Sequence, residues 1–312
     1  MSIKEFGVLL ALGAIWGASF LFIKVGGKEL EPFVLVEMRL GLAALVMLAV
    51  AATRSGTYAA LRANWRPLVV MGVLNCALPY TLLTWGEKYI SSGLASIYNS
   101  TAPLWAATLG LFWSWGERLS PGRLVGVFIG LLGVILVVSG NLEGGESSQQ
   151  LLGHVAVLLM ALSYAVAGIF GRRTLRGVPS LVPATGQLVT GALILLPLAV
   201  LQLPKQAPST VALGAVVTLA VVGTALASLM YWWLIARVGA TKALLVTYLL
   251  PGFALMWGAL LLDEPITMTA ILGLALVLIG ITITSGLGAP VYERLRGSEA
   301  RGQESEVSKA QR

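Results

Sequence analysis

Apolar runs of membrane-spanning length recur along the chain at about 6–25, 33–52, 67–86, 92–115 and 121–139. After the polar stretch Gly140–Gln150 they resume at about 151–171, 180–201, 210–234, 240–262 and 268–287. At ~1.5 Å of rise per residue, each run suits the ~30 Å hydrocarbon core of a bilayer. The pattern predicts an all-α integral membrane protein with ten transmembrane helices. Polar residues inside the runs fall on stripes. In Ser91–Glu117, Ser92, Ser96, Asn99 and Pro103 follow at steps of four, three and four, which is one helix face, with Tyr98, Ala102 and Trp105 beside it. In lipid such a face must turn toward protein or a water-filled cavity, because unsatisfied polar groups there cost several kcal/mol. Thr241–Glu264 repeats the design, with Pro251 mid-segment and Tyr248 three residues before it.

The two halves of the chain match each other. Pro32 and Pro179, Glu117 and Glu264, Gly126 and Gly273, and Gly133 and Gly280 are each 147 residues apart (for the first pair, 179 − 32). Trp16 and Tyr164, Trp85 and Trp233, and Pro103 and Pro251 are 148 apart (251 − 103 for the last). Several matches at nearly one offset indicate a repeat. The expected organisation is a first five-helix repeat over 1–140, a linker over 141–150, a second repeat over 151–289 and a disordered tail over 290–312. Five helices per repeat is an odd number, so the second copy enters the membrane inverted. Inverted repeats around a midplane site are a transporter architecture.

Composition agrees. Residues are 57% hydrophobic and 11% charged, and the mean hydropathy is +0.86, whereas soluble domains carry about 25% charged residues. The net charge of +7 does not point to nucleic acid, because the cations sit in short loops and the tail. With a cytoplasmic N-terminus, 16 of the 21 Lys and Arg fall inside, four fall outside (Lys24, Lys28, Lys88 and Lys205), and Arg39 lies within a run. This bias orients the chain with both termini in the cytoplasm. Lys4 and the run Phe6–Val25 superficially resemble a signal peptide, but the run is too long and is expected to remain as the first helix. Cys76 is the single cysteine, so no internal disulfide forms. No GxxxxGK[ST], HExxH or GxSxG motif is present, and there is one histidine. No cofactor, metal or enzymatic activity is expected.

One further set of features, taken in order, resembles the drug/metabolite transporter superfamily, and within it the EamA-type ten-helix metabolite exporters. These are the opening Ala14-Ile15-Trp16-Gly17-Ala18-Ser19-Phe20, Pro32 with Arg39, SSGLAS before Pro103, Gly116-Glu117, Pro251 with Glu264-Pro265, and the spaced glycines of the fifth and tenth runs. The resemblance spans about residues 6–287. It implies a cavity lined by helices 1–4 and 6–9, helices 5 and 10 at the periphery, and export of small metabolites, often amino acids, by alternating access.

Trp16 and Tyr164 occupy equivalent places in the two copies and are candidate cavity walls; the plainer alternative is packing in the membrane core. Asn75 and Tyr80 in the third run, Tyr98, Asn99 and Trp105 in the fourth, Ser228 in the eighth and Tyr248 in the ninth complete the candidate substrate-binding set. Serines and threonines in membrane helices often only back-bond to their own helix. Pro103 and Pro251 free backbone carbonyls and are candidate hinges. Arg39 is a functional candidate because charge inside a membrane is costly: it can steer a carboxylate, pair with another helix, or snorkel to the surface. Gln187 holds the corresponding place in the seventh run. Glu117 and Glu264 read as loop anchors, Glu87-Lys88 as interface charge, and His154 as a solvated histidine near the outer surface. The overall expectation is a secondary transporter exporting small metabolites, amino acids or related compounds, across the bacterial inner (plasma) membrane. It would work with the lipid bilayer and a small-molecule substrate, with proton or counter-solute coupling open, as monomer or weak homodimer. The alternatives are a lipid-linked-sugar flippase, a multidrug efflux protein and, more remotely, a membrane-embedded enzyme.

Overall fold

In a computed structural model of the chain, residues 1–112, 121–142 and 148–285 are described. These are helical, and no strand occurs among them. The helices are α1 (Ile3–Gly26), α2 (Pro32–Ala52), α3 (Trp65–Gly86), α4 (Ser92–Asn99), α5 (Ala102–Phe112), α6 (Pro121–Leu142), α7 (Ser148–Thr174), α8 (Leu181–Leu201), α9 (Thr210–Val238), α10 (Val246–Leu262) and α11 (Met268–Ser285), with short helical segments at Thr57–Ala63 and Ala240–Ala243. Six of them, α1, α2, α3, α7, α8 and α9, are long and apolar enough to cross a membrane, and shorter apolar stretches lie in α6, α10 and α11.

Helix limits follow local chemistry. Ser2 and Glu5 cap the start of α1 reciprocally, the serine hydroxyl taking the Glu5 N–H while the Glu5 carboxylate takes that of Ser2. Pro32 occupies the first turn of α2, where no N–H is needed. The fourth apolar run differs from the single helix expected: a turn at Ser100–Thr101 divides α4 from α5. Pro103, second residue of α5, has no N–H to offer the Asn99 carbonyl, so the ladder lapses there. Pro251 lies inside α10 without breaking it, so the two prolines are not equivalent bends. Around the expected linker, α6 runs to Leu142 and α7 starts at Ser148. Glu117 and the tail 290–312 lie outside the described residues.

Helices from the two halves of the sequence interleave. Extensive pairings across the halves are α11 with α6, α3 with α7, α1 with α10, α3 with α8, α1 with α9, and α2 with α8. Glycines allow the closest of these. A Cβ at Gly133 would stand 2.7 Å from the Gly273 carbonyl oxygen and one at Gly273 would stand 2.9 Å from that of Gly133, so backbone meets backbone. Gly126 and Gly280 are matched in the same reciprocal way. The small residues of the fifth and tenth runs thus serve packing within the protomer.

Candidate functional site

Two helices carry a π turn, a wide turn common at functional sites: Val73–Ala77 in α3 and Val221–Leu226 in α9. They start 148 residues apart (221 − 73), the offset of the sequence repeat. The wider turn in α3 leaves the Leu74 carbonyl to accept a hydrogen bond from the Ser163 hydroxyl of α7 at 2.7 Å. In α9 the Thr224 hydroxyl reaches back to the Leu219 carbonyl at 2.9 Å.

The π turns present the polar groups that join the halves. Arg39 of α2, 6% exposed, donates from Nε to Thr224 Oγ1 at 2.9 Å. Asn75 of α3 donates from Nδ2 to Gln187 Oε1 of α8 at 2.9 Å. Arg39 and Gln187 are 148 residues apart (187 − 39), so two residues at matching places in α2 and α8 each reach a π turn of the other half. One of these links is charged and the other is neutral.

The guanidinium carbon of Arg39 lies over the Tyr80 ring, 3.7 Å from its centroid. Cation–π contact of this kind contributes about 2 kcal/mol when desolvated. With Nε on Thr224 and one side on Tyr80, the two terminal nitrogens remain, and no carboxylate among the described residues pairs with them. Among the described residues the sole ion pair is Lys88 with Glu31, at 2.7 Å on the surface. Arg39 therefore does not snorkel; it is a buried cation held in one orientation with its forked end open. Tyr164 of α7 and Cys76 of α3 lie close enough to share its electrostatic field.

The other sequence candidates are placed as follows. Trp16 packs on Tyr231, ring centroids 5.3 Å apart. Tyr98 is fully buried and its hydroxyl meets His154 Nδ1 at 2.9 Å. Asn99 ends α4, and Trp105 of α5 keeps a buried Nε1 without a hydrogen bond. Ser228 back-bonds to the Thr224 carbonyl at 2.6 Å, steadying the π turn that holds Thr224. Tyr248 and Tyr164 pack against the main apolar cluster. The structure thus brings Arg39 onto Tyr80 and Thr224 and, separately, Asn75 onto Gln187, while Tyr98 pairs with His154.

A second cluster lies at one end of the bundle and corrects two sequence readings. Glu87 is 1% exposed rather than interfacial, and His154 is 1% exposed rather than solvated. Both are buried because Gly86 and Gly153 let α3 and α7 touch: a Cβ on Gly86 would stand 3.0 Å from the Gly153 carbonyl oxygen. Lys24 of α1 donates to the carbonyls of Glu87 at 2.5 Å and Ile90 at 2.7 Å. Glu264 caps the start of α4, taking the Ser92 N–H at 2.9 Å and its hydroxyl at 2.6 Å. It is a loop anchor, as its place beside a turn suggested. At the opposite end a cavity of about 490 Å³ opens among Arg54, Thr57, Ala60, Pro179 and Val182.

The model of the EamA-like transporter family matches twice, over residues 5–139 and 151–286. The chain belongs to the EamA-like transporter family. Relatives agree along nearly the whole length. An uncharacterized transporter of Archaeoglobus fulgidus is 25% identical over 283 residues, 90% of this chain and 98% of that protein. The inner membrane transporter YedA of Escherichia coli (strain K12) is 27% identical over 286 residues, 90% of each chain. A second Escherichia coli (strain K12) protein, named "Probable amino-acid metabolite efflux pump", is 28% identical over 308 residues, 91% of this chain and 95% of that one. One crystal structure shares the fold, with TM-score 0.65 at 20% identity over 92% of this chain and 99% of that one. This EamA family member is accordingly a multi-pass inner membrane protein of a transporter family rather than of an enzyme family.

Proposed function

We propose that this EamA family member is a secondary transporter that exports small metabolites, amino acids or related compounds, by alternating access. Its two five-helix halves, inverted with respect to each other, would expose the polar centre to the two sides of the membrane in turn. Supporting this are the double match of the family model, the relative named as an amino-acid metabolite efflux pump and the matched cross-links from α2 and α8. The helix pairings lend weight too: exchanging the halves turns α1–α10 into α7 with α4 and α5, turns α3–α7 into α9–α1, and leaves α2–α8 and α6–α11 unchanged, and all of these pairs occur.

The observation that carries the substrate class is Arg39. A buried cation without a counter-charge costs several kcal/mol, and a single neutral hydrogen bond with one cation–π contact offsets only part of that. A solute carboxylate on the two terminal nitrogens would complete the site with a bidentate, charge-assisted pair. Gln187 and Asn75 present neutral donors and acceptors to the solute's other polar groups, and Tyr80, Tyr164 and Trp16 cover its apolar parts. Pro103, at the α4–α5 break, and Pro251 are assigned to the bending of α5 and α10. By the Lys and Arg distribution, the end holding Glu87 faces outward, with both termini inside.

The test is efflux from cells preloaded with single amino acids, expression against empty vector, with and without an uncoupler. Faster efflux of one class is expected. Equal efflux across all of them overturns the amino-acid reading.

A further inference from the structure

The face of α3 that starts at Tyr80 continues toward the outward end as Thr84 and Glu87, spaced four and three residues apart and so aligned on one side. Tyr80 is partly buried and Thr84 and Glu87 are fully so, and the stripe becomes less satisfied as it climbs. Tyr80 carries the Arg39 guanidinium. Thr84 Oγ1 is buried without a hydrogen bond. Both carboxyl oxygens of Glu87, one residue beyond the end of α3, are buried without one as well. Lys24 spends its ammonium on the Glu87 and Ile90 carbonyls instead.

Charged groups reach Glu87 from several sides: Lys24 from α1 and Arg39 from α2 favour its ionisation, while Glu264, at the start of α4, opposes it. His154 of α7 stands next to the Gly153 that packs on Gly86, with its Nδ1 on Tyr98 of α4. Lys88, next in the chain, is engaged by Glu31. Burial outweighs these influences and pushes the Glu87 carboxyl well above the usual carboxylate range.

We propose that Glu87 is a proton-binding site that governs opening of the outward end: neutral and buried while α1, α3 and α4 are joined, ionised and hydrated when they part. Closing takes one proton from water onto a Glu87 carboxyl oxygen, and opening returns it. The same place that seals the end with the Lys24 and Glu264 bonds thereby senses external acidity. This rests on the alternating-access reading, but its test needs no solute.

Ile90→Cys places a thiol at 3% exposure beside the Lys24 contact, and Leu203→Cys places one at 62% exposure in the loop at the same end. Both are reacted with a hydrophilic maleimide in purified, detergent-solubilised protein. Cys76, 1% exposed, stays in place and gives the background. The ratio of the two rates cancels the chemistry of the reagent. It is expected to climb between pH 5.5 and 8, by up to about tenfold per unit where one proton is linked to closing. Glu87→Gln keeps the ratio low and flat, and His154→Gln leaves the climb unchanged. A flat ratio in the parent, a climb that survives Glu87→Gln, or one abolished only by His154→Gln overturns the proposal. Leu94→Cys, 7% exposed on the first turn of α4, repeats the reading if Ile90→Cys folds poorly. Failure of solute efflux with the pH dependence intact would count against the transported class and leave Glu87 standing.

Discussion

Gly280→Ala should destabilise the protein although alanine is the better helix former. A Cβ at Gly280 would lie 2.5 Å from the Gly130 nitrogen and 2.6 Å from both the Gly126 carbonyl oxygen and the Gly130 Cα. Those are backbone atoms of α6, so no side chain can swing aside. Restoring contacts of about 3.5–4.0 Å requires α11 to retreat by roughly 1 Å, and a gap of that size forfeits a quarter to a half of each dispersion well along the crossing. Overpacking of this kind costs about 1–3 kcal/mol, against which the gain from replacing a helical glycine is about 0.5–1 kcal/mol. Gly214→Ala in α9 is the control, because its Cβ would meet nothing within 4 Å; it should be neutral or slightly stabilising. Thermal unfolding in detergent, followed by size-exclusion recovery, should place Gly280→Ala below the parent and Gly214→Ala at or slightly above it. If Gly280→Ala melts with Gly214→Ala, the α6–α11 interface is not held by glycine contact and the reasoning fails.

Two further outcomes follow. Glu264→Ala removes the carboxylate that holds the Ser92 N–H and hydroxyl at the start of α4; a lost cap of this type costs about 1–2 kcal/mol, and Glu264→Gln should lose less, both read as melting temperature. Glu87→Gln should alter how stability depends on pH. The folded carboxyl is held above its usual range, so stability is fully present below the unfolded value of about 4.3 and is lost as pH rises toward the folded one, at up to about 1.4 kcal/mol per unit. The amide lacks this loss and should therefore gain on the parent as pH rises from 5 to 8. Parallel melting curves would contradict that.

The sequence was most informative where hydropathy alone decides. Helix limits lay near the ends of the apolar runs, since chain polarity changes sharply there. Arg39 was legible as a charge inside a run, and Gln187 as its counterpart through the repeat. Its partner Thr224 was harder to assign, because a π turn shifts the facing of residues from the 3.6-residue period on which such reasoning depends. Glu87 and His154 were misplaced for a different reason. Their burial depends on two glycines from distant parts of the chain, Gly86 and Gly153, meeting across α3 and α7, and no local pattern encodes that meeting. The break at Ser100–Thr101 follows from Pro103, whose effect was foreseen as a bend, whereas Pro251 shows that a proline can lie within a helix that continues past it.

The central claim is that a solute carboxylate pairs with Arg39 between the halves. The direct measurement is counterflow in proteoliposomes with one exported amino acid and its carboxamide, comparing parent, Arg39→Gln and Arg39→Lys. Losing a buried charge-assisted pair costs about 2–5 kcal/mol. Arg39→Gln should therefore lower uptake of the acid at limiting concentration by at least about 30-fold while changing that of the carboxamide little. Arg39→Lys should recover part of the acid uptake, since it keeps the charge and loses the fork. Uptake of the acid by Arg39→Gln at the parental rate would contradict the account.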